Sequence, residues 1–162
     1  MNELELIRDQ LRTERSHATE VALACAAEAS ADGAGSHDLR QARVDFLVCV
    51  LTRFEERDQM LAELFRAHLP ESGAIRQQLD QTLSRSGTSR EALVSLEGAL
   101  AGRCSWREFA DFVQGPWLAR RNAIEALQQT HARVPELRAV SFVDADSILE
   151  ERARYARARA KP

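Results

Sequence analysis

The chain has 162 residues and a mass of 18.1 kDa, a length typical of one domain. It is 44% hydrophobic and 29% charged, which excludes a disordered or fibrous protein and leaves enough apolar material for a core. A net charge of −3 gives no electrostatic basis for binding nucleic acid. The three cysteines are too few and too widely spaced for a disulfide framework or a cysteine zinc site.

Membrane and export signals are not evident in the sequence. The longest apolar run covers residues 46–51, far short of a membrane span, and the acidic opening at residues 1–5 lacks the features of a signal peptide. We therefore expect a cytoplasmic protein that forms a single helical-bundle domain over residues 1–162. Neither membrane nor nucleic acid is expected among its partners.

The first half of the chain predicts two long helices, because its apolar residues recur at helical spacing. The first is predicted over residues 2–29 and is ended by the turn residues at 32–36. The second is predicted over residues 37–69 and is ended by Pro70.

The second predicted helix is apolar on more than one face. Phe46, Met60 and Leu64 lie outside its main stripe and widen the apolar arc. An arc this wide is typical of a helix at the centre of a bundle or in a subunit interface, so a homodimer through this helix is one expectation. The main stripe consists of Leu47, Val50, Leu51, Phe54, Leu61 and Phe65.

The next region is predicted as shorter helices. Residues 86–87 interrupt it, and Thr88 with Glu91 then forms the Ser/Thr-x-x-Glu pattern of a capping box. After a second glycine-containing break, Ser105 and Glu108 repeat that pattern. Each pattern predicts the start of a helix.

The last long apolar stripe passes through Gly115-Pro116, which predicts a kinked helix or two nearly collinear helices. A final helix is predicted over residues 144–160, acidic at its start and basic at its end, as the helix dipole favours. The expected fold is all-α, an antiparallel four-helix bundle with an additional C-terminal helix. The stripe consists of Trp106, Phe109, Val113, Trp117, Ile124, Leu127 and His131.

Charged residues fall on the apolar stripes of three predicted helices. Asp58 lies within the second stripe, Arg120 lies within the last, and Glu14 and Arg15 flank the first. Buried charges are costly unless they meet an opposite charge, a ligand or water. Three interpretations stay open: charges that reach solvent at the bundle edge, a buried Asp58–Arg120 pair, or a small-molecule site.

Other candidates for chemistry are weaker. The four histidines do not form the repeated Glu-x-x-His pattern of a di-iron carboxylate bundle. Cys104 follows Arg103 and precedes a helix start, where a thiolate is favoured. The turn at 102–105 and the helix after it have the outline of a helix-turn-helix, but the acids and aromatics of that helix disfavour contact with DNA. The histidines are His17, His37, His68 and His131.

Three segments of the chain, 46–61, 117–127 and 144–159, together resemble the hemerythrin-like (HHE cation-binding) family. Those domains are antiparallel bundles whose second and fourth helices carry His-x-x-x-Glu followed by an apolar run. They bind a non-haem di-iron centre. The resemblance implies that fold for nearly the whole chain.

The resemblance also implies where the metal ligands of such a bundle would stand. Imidazoles hold iron in that site and aromatic side chains cannot replace them, so the resemblance implies a bundle that has lost its di-iron site. An ion pair of Asp58 with Arg120 or Arg121 would fill the vacated centre. The ligand positions carry Phe54 and Asp58 in the second helix, Trp117 and Arg121 in the fourth, and Glu14 or Arg15 in the first.

Three hypotheses for function follow. The first is a non-enzymatic binding or interaction module without a cofactor. The second is a hemerythrin-like protein that binds non-haem iron through an irregular ligand set and senses dioxygen or redox state. The third is a sensor or enzyme that holds an unidentified small ligand between its helices. The irregular ligand set would be drawn from Glu14, His17, Glu55, Glu56, Asp58 and His131.

Overall fold

A computed structural model describes residues 3–31, 36–68 and 72–130, and further residues at 153–154, 156–158 and 160. Within these ranges all regular secondary structure is helical, and no strand occurs. The all-α prediction is confirmed. None of the described helices combines the length and the apolar character that crossing a membrane requires.

The predicted helix boundaries agree closely with the observed ones over the first half of the chain. The first helix ends at Ser30, one residue beyond the predicted end, and the second begins at His37 as predicted, while residues 2 and 69 lie outside the described residues. Pro70 and most of the predicted 144–160 helix lie outside the described residues. The observed elements are α1 (Glu3–Ser30), α2 (His37–His68), α3 (Ala74–Ser84), α4 (Ser89–Leu100), α5 (Trp106–Phe112), a π-helical turn (Val113–Trp117) and α6 (Leu118–Thr130).

Both predicted capping boxes are confirmed. Thr88 Oγ1 accepts the Glu91 N–H at 3.0 Å, and the Glu91 carboxylate accepts the Thr88 N–H at 2.6 Å. Ser105 and Glu108 form the same reciprocal pair at 3.1 and 2.6 Å. These backbone hydrogen bonds hold the pKa of both glutamates below the usual value. The caps therefore determine where α4 and α5 begin.

The predicted kink is a π-helical turn that contains Pro116. Proline lacks an N–H and its ring displaces the carbonyl of the preceding turn, so the helix widens locally. Gly87, with φ of 99°, packs directly on this turn. A Cβ at Gly87 would lie 2.7 Å from the Pro116 carbonyl carbon, and closer still to its oxygen. The turn between α3 and α4 is thus seated against the π-helical turn.

The apolar core lies where α1 and α2 pack against α4, α5 and the π-helical turn. The main stripe of α2 contributes to it as predicted at all positions whose side chains are described. The core side chains of α2 are Phe46, Leu47, Val50, Leu51 and Phe54.

Phe46 was expected to add apolar surface for a partner, and this expectation is wrong. Its side chain is 0% exposed, and its ring lies 6.3 Å from the His17 ring in an edge-on arrangement. Met60 is half-buried, and the side chain of Leu64 lies outside the described residues. On the described part of α2 the large apolar residue that stands out into solvent is Val48, 43% exposed.

Candidate functional site: a buried charge cluster

A cluster of charged side chains lies between α1, α2 and α6. We call it the central cluster. Helical spacing explains how α2 and α6 contribute. Residues 53 and 57 of α2 are four positions apart and so share one face of the helix, and the same holds for residues 121 and 125 of α6. Its members are Glu14, Arg15, Arg53, Arg57, Asp58, Arg121 and Glu125, all buried except Arg15, which is half-buried.

The central cluster is organised around a two-point ion pair between Asp58 and Arg121. Arg121 Nη1 donates to Asp58 Oδ1 at 2.8 Å, and Nη2 donates to Oδ2. Arg121 is completely buried. Two parallel charge-assisted hydrogen bonds satisfy both carboxylate oxygens, which offsets the cost of removing the charges from water. Of the two partners that the sequence left open for Asp58, the structure selects Arg121.

Arg120 has a different role, and the Asp58–Arg120 pair does not form. Its two terminal nitrogens donate to the backbone carbonyls of Leu83 and Arg85, at the C-terminal end of α3. Carbonyls at a helix end have no partner within the helix and carry partial negative charge, so a guanidinium there is favourable. Arg120 therefore ties α6 to the end of α3.

The Phe54 ring lies beside the ion pair and is itself in contact with Trp117. Phe54 meets Trp117 edge to face, with ring centroids 5.5 Å apart, and the Arg121 guanidinium carbon lies 5.4 Å from the Phe54 centroid. A cation over a ring face is attracted by the ring quadrupole. Trp117 Nε1 donates to Ser89 Oγ at 3.0 Å, which satisfies the buried indole. Phe54 thus joins the apolar core to the central cluster.

The α1 residues form two further ion pairs. Glu14 accepts from Arg53 and, at 3.3 Å, from Gln10 Nε2, while Arg15 lies 3.0 Å from Glu125. The interpretation that the inward charges reach solvent at the bundle edge does not hold for Glu14, Asp58 and Arg120, because all three are buried.

Sequence reasoning missed Arg53, Arg57 and Glu125. On an ordinary amphipathic helix, residues outside the apolar stripe face water. The wide apolar arc of α2 was the available signal: a helix surrounded by neighbours buries its polar residues as well. Arg57 shows the consequence. Burial, and then the nearby positive charge of Arg121, lower the pKa of Arg57 to about 10, although the surrounding carboxylates act to raise it.

The buried carboxyl group of Glu125 predicts a pH dependence. Burial raises its pKa above the usual 4.5, and Arg15 opposes the shift. The folded protein therefore binds the Glu125 carboxyl proton more tightly than the unfolded chain does. The resulting stabilisation is complete below about pH 4.5, and it is lost as the pH rises through the pKa of Glu125 in the folded state. We expect urea unfolding from about pH 4 to 7 to show wild type losing stability relative to Glu125→Gln. A constant difference across this range would contradict the expectation.

The proposed irregular metal-ligand set is not brought together. His17 packs on Phe46, Glu55 accepts the Arg90 N–H at 3.2 Å at the start of α4, and both oxygens of Asp58 are bound by Arg121. Glu56 is exposed, and His131 lies outside the described residues. In the part of the chain that the structure describes, no three His, Cys, Asp or Glu side chains are placed to hold a metal ion.

The three thiols lie in different surroundings. Burial raises the pKa of Cys25 to about 11, and Cys49 is half-buried. Cys104 donates to the Ser95 carbonyl, with Sγ 3.4 Å from the oxygen. The favoured thiolate at Cys104 stays a prediction.

Comparison of the chain with family models, with curated proteins and with solved structures yields no match. Its function must therefore be argued from its own chemistry. The central cluster joins three helices through the ion pairs Arg15–Glu125, Arg53–Glu14 and Arg121–Asp58, and Glu125 Oε1 is buried without a hydrogen-bond partner among the described residues.

Proposed function

We propose that this chain is a degenerate hemerythrin-like antiparallel four-helix bundle that has lost its di-iron site and acts as a non-enzymatic binding or interaction module. The observation that carries the proposal is the Asp58–Arg121 pair beside the Phe54 ring, which in turn meets Trp117 edge to face. These four residues stand at the positions where the resemblance places the ligands of the second and fourth helices. Their convergence on one point supports the resemblance, because unrelated positions need not meet.

The charge of the central cluster supports the loss of metal. Four guanidinium groups meet three carboxylates in it, and the Arg121 guanidinium occupies the position implied for an acidic ligand. The positive charge of a guanidinium repels a divalent cation at short range.

The metal content of the protein tests this proposal. We expect protein purified without chelators to contain less than about a tenth of an equivalent of iron, manganese or zinc per chain. Its thermal midpoint should stay unchanged when iron(II) or a chelator is added, because a ligand that does not bind the native state cannot stabilise it. One or two ions per chain, with a midpoint that falls on chelation, would overturn the proposal in favour of the irregular ligand set.

A homodimer through α2 stays a prediction with reduced support. Phe46 is buried, so Val48 is the exposed large apolar residue that the described part of the helix offers. Light scattering after size exclusion at two concentrations tests it, and a monomer at both would remove the dimer from the proposal.

A small ligand at the central cluster has one observation in its favour. A cleft of about 370 Å³ beside the central cluster is lined by residues that include Glu55, Asp58, Arg90 and Arg120. However, Arg121 binds Asp58, the α3 carbonyls accept from Arg120, and Glu55 accepts the Arg90 N–H. These groups are already in use, so the metal-free module remains the better-supported function.

A further inference from the structure

A second cleft, of about 280 Å³, lies where the end of α1 and the start of α2 meet the end of α4 and the start of α5. None of its residues belongs to the central cluster. Small-molecule pockets are typically about 300–1,000 Å³, mostly apolar, with a few polar groups that orient the ligand. This cleft lies just below that range and suits a small ligand. It is lined by Cys25, Glu28, Ala29, Arg40, Leu100 and Trp106.

Most of the cleft lining is apolar. Leu100 is 51% exposed, and the half-buried Trp106 ring is set edge to face against Phe109, with centroids 6.1 Å apart. The Cys25 thiol remains protonated, because burial raises its pKa to about 11. The Trp106 indole and the exposed Leu100 together form a largely apolar surface. Burying this surface under an apolar part of a ligand is favourable.

The polar end of the cleft presents the Glu28 carboxylate and the Arg40 guanidinium. Glu28 is held closely by Arg43 through Oε2, and Arg40 Nη2 lies 3.4 Å from Oε1. Among the described residues, Arg40 makes this one long ion pair, with Glu28. The Arg40 side chain is 53% exposed. One carboxylate thus serves two guanidiniums. Arg40, with five N–H donors, retains donors for a second carboxylate.

We propose that this cleft binds a small organic acid, with the ligand carboxylate paired to Arg40 and an aliphatic or aromatic body against Leu100 and Trp106. The proposal goes beyond the interaction module and does not depend on the state of the central cluster. Metal content therefore tests one and ligand titration the other.

Tryptophan fluorescence tests the proposal, with octanoate as the probe and octylammonium and 1-octanol as matched ligands at equal ionic strength. Trp106 lies at the cleft, whereas Trp117 is completely buried. We expect octanoate to change the emission saturably and to bind about tenfold more tightly than octylammonium, since only the carboxylate pairs with Arg40. Trp106→Phe should abolish the response. Equal responses to all three probes, or no saturation, would overturn the proposal.

Substitutions at exposed positions separate binding from folding. Arg40→Gln should weaken octanoate binding about tenfold, since a hydrogen-bonded charge pair is lost. Leu100→Ser should weaken all apolar probes, because it removes one wall. Arg107→Gln is the matched control: Arg107 is an exposed α5 residue paired with Asp111, and its loss should leave binding unchanged. Octanoate affinity that is the same in Arg40→Gln and wild type would contradict the proposal.

Discussion

Replacing Asp58 with alanine should lower the free energy of unfolding by about 3–5 kcal/mol. The substitution would leave Arg121 completely buried and charged, because it removes the carboxylate that accepts from both of its terminal nitrogens. Urea denaturation followed by far-UV circular dichroism measures the loss. A change within about 0.5 kcal/mol would show that Asp58 is solvated in solution.

Two control variants make this result specific to the buried pair. Asp111→Ala removes an exposed partner of Arg107 and should cost no more than about 0.5 kcal/mol, as solvated pairs do. The double variant Asp58→Leu with Arg121→Met removes both charges and should be more stable than Asp58→Ala, since no unpaired charge remains. A double variant that is less stable than Asp58→Ala would indicate that the pair itself stabilises the fold.

Replacing Gly87 with alanine should lower the free energy of unfolding by about 3 kcal/mol. A φ of 99° is unfavourable for any residue with a Cβ, and the new methyl would meet the backbone of Pro116. Backbone cannot rotate away as a flexible side chain can, so the turn between α3 and α4 would have to separate from the π-helical turn. Thermal and urea unfolding measure the loss.

Gly102→Ala provides the matched control. Gly102 also has a positive φ, 71°, but nothing lies within 4 Å of an added Cβ. We therefore expect only the conformational cost, about 1 kcal/mol. Equal losses at Gly87 and Gly102 would show that backbone conformation alone, and not the contact with Pro116, determines the effect.

Local sequence signals predicted the local structure well. The capping patterns at Thr88 and Ser105 predicted where α4 and α5 begin, because each capping box is formed within four consecutive residues. Pro116 likewise disturbs the helix that contains it, whatever packs around it. Helical periodicity also identified Asp58 as an inward charge, since its neighbours on the stripe are apolar.

Partners across the bundle were harder to predict. Arg120 and Arg121 are adjacent in sequence and point about 100° apart on a helix, so periodicity alone does not say which faces α2. The rotation of α6 aims Arg121 at Asp58 and Arg120 at the end of α3. The same limit applies to Phe46: helix periodicity shows a wide apolar arc, but not whether neighbouring helices or a second subunit cover it.

By itself, the amino-acid sequence determined the all-α fold class, the end of α1 and the start of α2 to within one residue, the two capped starts and the inward placement of Asp58. Each of these depends on residues within a few turns of one another. Only the tertiary structure decided that Asp58 pairs with Arg121, that Arg53, Arg57 and Glu125 are buried with them, and that α2 is enclosed at Phe46. Those outcomes depend on how helices distant in sequence rotate and pack, because burial and pairing are properties of the assembled helices.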